Sequence, residues 1–156
     1  MSKPTTEDGV LTEDQGRSLE ILLDMIIPPD ADRGMPGAGE LDLVGYLVEY
    51  QPDQIEAIRM ELDQLNQEAK EQHQRGFAEL EQGDRDRLVA RLRAENEQFG
   101  RNIAVETMAC YYQDDKVVLA LGMEARPPFP KGHEVDSGDL SLLDPVRERK
   151  PLYRDV

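Results

Sequence analysis

Apolar residues recur at intervals of three and four along most of this chain, the spacing that lines one face of an α-helix. Residues 116–121 (KVVLAL) fit a strand or a helix by period alone. An aspartate before that run and Gly122 after it favour a short helix. We therefore predict an all-α fold: a compact, irregular bundle of about five to six helices, followed by an extended, proline-rich C-terminal arm.

The apolar faces of the helices follow from the same spacing. The segment 99–112 is the least charged part of the chain, so we expect it to form a central helix that is buried on most sides. Leu88 and Leu92 should face inward from a highly charged helix. The apolar stripe expected for the central helix is Ile103, Val105, Met108, Ala109 and Tyr112. The stripes expected for the first, second and third helices are, in turn, Leu19, Leu22, Leu23 and Ile26; Leu41, Val44, Leu47 and Val48; and Ile55, Ile58, Leu62, Leu65 and Ala69.

The first helix has a recognisable start and stop. Thr12 with Gln15 three residues later predicts a capping box, and Pro28 and Pro29 remove the donors needed to continue the helix. Residues 28–39 contain three prolines and three glycines, which predicts a structural loop without regular elements, defined by Pro28, Gly37 and Gly39. We expect Gly37 or Gly39 to adopt a positive φ angle.

The chain changes character after Gly122, because residues 123–156 contain five prolines. We predict a helical domain at 1–122 and an extended arm at 123–156 through which no helix runs. The arm has too many apolar residues for a solvated linker, so it should pack on a partner or on the helical body. The residues assigned to partner binding are Pro127, Pro128, Phe129, Pro130, His133, Leu142, Leu143 and Tyr153.

Charge and hydropathy exclude several partners. There are 33 acidic and 18 basic side chains, for a net charge of -15, and no cluster of Lys and Arg would attract a nucleic acid. The most apolar stretch is interrupted by Glu20 and Asp24 and is too short to span a membrane. Residues 1–12 do not have the basic segment and apolar run of a signal peptide. We expect a cytoplasmic protein, or a periplasmic one if a signal was removed or is carried by a partner.

The chain offers little catalytic chemistry. A single cysteine, Cys110, excludes an intramolecular disulfide, and a buried thiol is a better interpretation of it than a nucleophile. Neither His73 nor His133 follows a glutamate at the spacing of a di-iron site. The glycines in the loop occur in the reverse of the dinucleotide-binding order. We therefore predict no catalytic, cofactor-binding or metal-binding residue.

Two segments together resemble the gluconate 2-dehydrogenase subunit 3 (gamma subunit) family. Residues 22–46 resemble its "L-D-x-I-I-P … D-x-x-G-A … G-V" opening, and residues 111–133 resemble its Tyr-Tyr pair, short helix and proline-rich segment. The residues between these two segments resemble the family's "F-x-x-L-x-x-x-x-R-x-x-L" spacing, in which Arg85 and Arg87 are the candidates for the arginine. The other positions that carry the resemblance are Ile26, Ile27, Pro28, Asp30 or Asp32, Gly37, Ala38, Gly39, Phe77, Leu80, Asp84 and Leu88.

The resemblance implies an all-helical small subunit with no chemistry of its own. Its partner would be a large FAD-dependent dehydrogenase of the glucose-methanol-choline (GMC) class that oxidises a sugar, sugar acid or alcohol. Many such complexes add a cytochrome as electron acceptor. Family members often carry a twin-arginine signal, and no adjacent pair of arginines occurs in this sequence. Two alternatives remain open: a stand-alone small helical enzyme that uses a tyrosine, Cys110 or a carboxylate, and an acidic helical regulatory protein.

Overall fold

The computed structural model describes residues 9–125 and 137–149, which belong to two separate units. Within these residues the only β pairing is an isolated bridge between Asp30 and Met35, which confirms the all-α fold. The helices of the first unit are α1 (Glu13–Ile26), α2 (Leu43–Tyr50), α3 (Ile55–His73), α4 (Gln82–Glu95), α5 (Arg101–Tyr111) and α6 (Asp115–Ala120).

The start of α1 follows the predicted capping box. The Thr12 hydroxyl accepts a hydrogen bond from the Gln15 backbone N–H at 3.2 Å, and Gln15 Oε1 accepts one from the Thr12 N–H at 2.9 Å. The side-chain nitrogen of Gln15, Nε2, also donates a hydrogen bond to Asp63 Oδ1 at 2.7 Å. The cap therefore satisfies free donors at the helix end and also ties α1 to α3.

The core is formed mainly by α1 and α3, with contributions from α2, α4 and α5. The predicted stripe of α3 is buried except at Ile55, which is partly buried. Each large apolar side chain that is fully buried contributes about 1.5–3 kcal/mol relative to full exposure. The buried side chains are Leu19, Leu22, Leu23, Ala38, Leu43, Leu47, Ile58, Leu62, Leu65, Ala69, Phe77, Leu80, Leu88, Leu92, Phe99, Ile103, Tyr111 and Val117.

The prediction that α5 is buried on most sides is wrong. Its inner face consists of Ile103, Glu106, Thr107 and Tyr111, which follow one another at helical spacing. Val105, Met108 and Tyr112 are exposed to 49%, 46% and 59%. The apolar residues of this segment lie partly on the outer face, whereas the buried face includes the polar residues Glu106 and Thr107, so sequence hydropathy does not identify the buried side.

The second unit also corrects a prediction. Residues 140–143 form a 3₁₀ turn and Asp144–Arg147 forms α7, although we expected no helix in the arm. Pro145 is tolerated in α7 because it lies in the first turn, where a backbone N–H would make no hydrogen bond within the helix. Leu142 and Leu143 are exposed to 75% and 45%. The other predicted partner-binding residues, Pro127, Pro128, Phe129, Pro130, His133 and Tyr153, lie outside the described residues.

Candidate functional site

The proline- and glycine-rich loop at 28–39 packs tightly against α1. It is built from two 3₁₀ turns, Ala31–Arg33 and Ala38–Glu40, rather than being wholly irregular. The N–H of Ala38 donates to the Ile27 carbonyl at 2.9 Å, and the N–H of Gly39 donates to Asp24 Oδ1 at 2.7 Å. These bonds fix the second turn to the C-terminal half of α1.

The reason for glycine in this loop is close approach and not backbone angle. Gly37 has a φ of -71°, and the positive φ of the loop is found at Gly34 instead, at 65°, so the prediction for Gly37 and Gly39 is wrong. A Cβ on Gly39 would lie 2.6 Å from the Glu20 carbonyl oxygen. A Cβ on Gly37 would collide with the Asp24 carboxylate. A side chain at either position would push the loop away from the helix.

Tyr111, the last residue of α5, joins that helix to the same loop. Its hydroxyl donates to the Pro36 carbonyl at 2.8 Å, and its side chain is almost fully buried. Burial raises the pKa of this phenol, so it remains a neutral hydrogen-bond donor at physiological pH. The two segments that carry the family resemblance therefore meet in space, joined by this hydrogen bond.

Asp24 of α1 fixes this loop in place, a role that sequence reasoning missed. In the sequence it is only an interruption of an apolar stretch, whereas in the structure its carboxylate holds Gly39 in place. The available signal was the aspartate of the family's "L-D-x-I-I-P" pattern. That position becomes informative once the loop is known to fold back onto the helix.

The structure also distinguishes the two candidate arginines. Arg85 donates from Nε to the Phe77 carbonyl at 3.3 Å and from Nη2 to the Ala78 carbonyl at 2.8 Å. Arg87 instead forms an exposed ion pair with Asp84. Arg85 thus satisfies carbonyl groups in the turn between α3 and α4, which is a structural role.

Polar groups between α2 and α5 were candidates for stand-alone catalysis. Burial, followed by the charges of Asp114 and Asp42, raises the pKa of the Cys110 thiol to about 11. Burial, followed by the Glu106 charge, also raises the pKa of Tyr46. Both groups are therefore protonated at neutral pH. This environment is the opposite of one that would activate a cysteine nucleophile.

Neither a metal centre nor a membrane span is found in residues 9–125 and 137–149. No three His, Cys, Asp or Glu side chains among these residues are placed to hold a metal ion. None of the helices in this described part has the length and apolar character needed to cross a membrane.

The first unit has an open groove of about 530 Å³ between α1, α4 and α5. Leu22 and Phe99 in its lining are buried core residues, whereas Arg93, Glu97 and Arg101 are exposed. The other apolar side chains that line it are Met25, Ile26, Val89, Ala104, Val105 and Met108. This groove was not predicted from the sequence.

The fold and the signature contacts define a small helical body whose motif residues hold the structure together. The family model described as gluconate 2-dehydrogenase subunit 3 matches residues 13–121, a span that runs from the start of α1 to the end of α6. The chain therefore belongs to the gluconate 2-dehydrogenase subunit 3 family, as the resemblance indicated. A search of curated proteins and a search of solved structures each found no match.

Proposed function

We propose that this chain is a non-catalytic small subunit that binds and stabilises a large FAD-dependent dehydrogenase of the GMC class. The large subunit would oxidise a sugar, sugar acid or alcohol, and would pass electrons to a cytochrome or another acceptor. The observation that carries this proposal is the match to a family described as a dehydrogenase subunit across residues 13–121.

The contacts of the signature residues support a structural role for the chain. Asp24 binds the Gly39 N–H, Tyr111 binds a loop carbonyl, and Arg85 binds two carbonyls of a turn. Each of these polar groups is used for holding one element to another. In this proposal the flavin and the reacting groups belong to the partner subunit.

The raised pKa of Cys110 weighs against the stand-alone enzyme. A thiol with a pKa of about 11 has very little thiolate at neutral pH, and the thiolate is the reactive form. The neighbouring tyrosine, Tyr46, is also held in its protonated form by its raised pKa. Neither group is therefore suited to act as a nucleophile or a base.

The C-terminal arm, residues 123–156, is still the segment that we predict to contact the large subunit. Leu142 and Leu143 are exposed, and burial of a large apolar side chain in an interface is worth about 1.5–3 kcal/mol. Truncation before Pro127 tests this assignment in the complex. We expect the helical body to remain folded by circular dichroism while the association with the large subunit is lost. Unchanged association, or an unfolded body, would remove the arm from the interface.

Co-expression tests the proposed function itself. The large subunit should be produced with and without this chain, and its soluble yield, flavin content and dye-reducing activity compared. We expect the activity to depend on the flavin in the large subunit and the soluble yield to depend on the small one. An isolated small chain that binds flavin stoichiometrically or turns over a sugar would reject the proposal.

A further inference from the structure

The outer face of α5 is apolar where a solvent-exposed helix would usually be polar. Val105 and Met108 lie three residues apart on this face and are exposed to 49% and 46%. Single exposed apolar residues are common, but here the two line one groove together with side chains of two other helices. A contiguous apolar surface of this kind typically marks an interaction site.

The groove has the shape and side chains of a receptor for apolar groups. Met25 and Ile26 of α1 line one side, and Val89 of α4 lines another. Methionine side chains adapt their shape to the group that they contact. Leu22 and Phe99, which also line the groove, are buried core residues. Their side chains are therefore held in place by the core.

The charge at the groove is opposite to that of the whole chain. Arg93 and Arg101 are exposed there, against one acidic group, Glu97. Neither arginine forms an ion pair with any residue that the structure describes, whereas Arg17, Arg87 and Arg91 all do. Two guanidinium groups that have no acidic partner among the described residues, beside an apolar surface, favour an occupant that carries carboxylates.

The groove lies wholly within the part of the chain that defines the family. Its lining residues run from Leu22 to Met108, inside the matched residues 13–121. The arm beyond Gly122 lies outside that match. A surface for the family's shared partner therefore has reason to be on the helical body.

We infer that the groove between α1, α4 and α5 binds an apolar segment of the large subunit that carries Asp or Glu beside its apolar side chains. This inference rests on the proposed function and adds the contact surface and the chemistry of its ligand. A second copy of this chain is a poorer occupant, because a two-fold contact would place Arg93 and Arg101 near their own symmetry mates. Apolar side chains would fill the groove while the arginines pair with the flanking carboxylates.

Charge insertion into the groove is the direct test. The variant Met108→Glu should weaken binding to the purified large subunit about tenfold or more, since it places a carboxylate in the apolar contact, where it repels the carboxylates of the partner. The matched control is Met60→Glu on α3, at a methionine that is 65% exposed and lies outside the groove. The control should bind like the wild type, and circular dichroism should show both variants folded.

A second variant tests the charge contribution and leaves the apolar surface of the groove unchanged. Arg93→Glu with Arg101→Glu should weaken binding and reduce its dependence on ionic strength, because the attraction to partner carboxylates is lost. Since both side chains are exposed, this variant should fold normally.

Three results would separate the explanations. Wild-type chain that does not bind the flavin-containing subunit would overturn the proposed function. If the wild-type chain binds, and the Met108→Glu and arginine variants bind as tightly as the Met60→Glu control, only the groove assignment is overturned. A photo-cross-linker at position 108 should label an apolar, acidic peptide of the large subunit, and labelling of a second copy of this chain would also overturn it.

Discussion

Replacing Gly39 by alanine should destabilise the fold strongly, although it adds only one methyl group. The new Cβ would lie 2.6 Å from the Glu20 carbonyl oxygen and 2.7 Å from Asp24 Oδ1. The first of these atoms is helix backbone and cannot rotate away. The loop must therefore move off α1, which breaks the 2.7 Å hydrogen bond from the Gly39 N–H to Asp24.

The size of the effect follows from two contributions. Overpacking of a closely fitted site costs about 1–3 kcal/mol, and the loss of a hydrogen bond to a charged group costs about 1.5–3 kcal/mol. Because the two losses occur together and are only partly additive, we expect about 2–5 kcal/mol for Gly39→Ala. That is a large share of the ~5–15 kcal/mol by which proteins are typically stable.

The assay is urea unfolding followed by far-ultraviolet circular dichroism, since the chain contains no tryptophan. Gly83→Ala is the matched control, because Gly83 lies in α4 and a Cβ there meets nothing within 4 Å. That change should stabilise the protein by up to about 1 kcal/mol through helix propensity. If Gly39→Ala is as stable as the wild type, the close approach of the loop to α1 is not a constraint and the reasoning fails.

Three further predictions concern buried polar groups. Tyr111→Phe removes the 2.8 Å hydrogen bond to the Pro36 carbonyl and should lower the free energy of unfolding by about 0.5–1.5 kcal/mol in urea titration; an unchanged value would mean that water replaces the bond. Ser18→Ala removes the 2.8 Å hydrogen bond that the Ser18 hydroxyl donates to the buried Asn66 Oδ1, which keeps only the 3.4 Å bond from the Phe77 N–H, and should cost about 0.5–1.5 kcal/mol by thermal unfolding, whereas a neutral result would contradict a role for this buried pair. Alkylation of Cys110 by iodoacetamide should be slow at neutral pH and accelerate only as the pH approaches the thiol's pKa of about 11. Because folding raises this pKa, the thiol's contribution to stability is present below its ordinary value of 9.0 and is lost as pH rises through about 11. Rapid alkylation of the folded protein at neutral pH would contradict that environment.

Local signals were sufficient for much of the fold. The capping box at Thr12 and the inward positions of Leu88 and Leu92 depend on residues close together in sequence, and the structure contains all of them. The helix at 115–120 likewise follows from its aspartate cap and from Gly122, whose φ is 77°.

Sequence-based expectations failed where the answer depends on contacts between distant residues. The outer face of α5 carries Val105 and Met108, while its inner face includes Glu106. Hydropathy therefore does not mark the inner face, and only the packing of α1, α2 and α3 determines which face is buried. Gly39 is a constrained position, as its place among prolines and glycines indicates, but for a different physical reason. Its close neighbour is a carbonyl of α1, and no strained turn is involved.

The groove could not be predicted from the sequence for the same reason. Its walls come from residues far apart along the chain, such as Met25 and Val89. Each of those residues reads as an ordinary apolar position of its own helix. Only the packing of three helices places them around a shared opening beside Arg93 and Arg101.

The most direct test of the accessory role is native mass spectrometry of the purified complex, combined with a flavin absorbance measurement on each separated subunit. We predict a hetero-oligomer in which all of the flavin is found with a second, much larger chain, and in which this 17.7 kDa chain is colourless. Flavin bound stoichiometrically to this chain, or a native form without any larger flavoprotein, would contradict the accessory role.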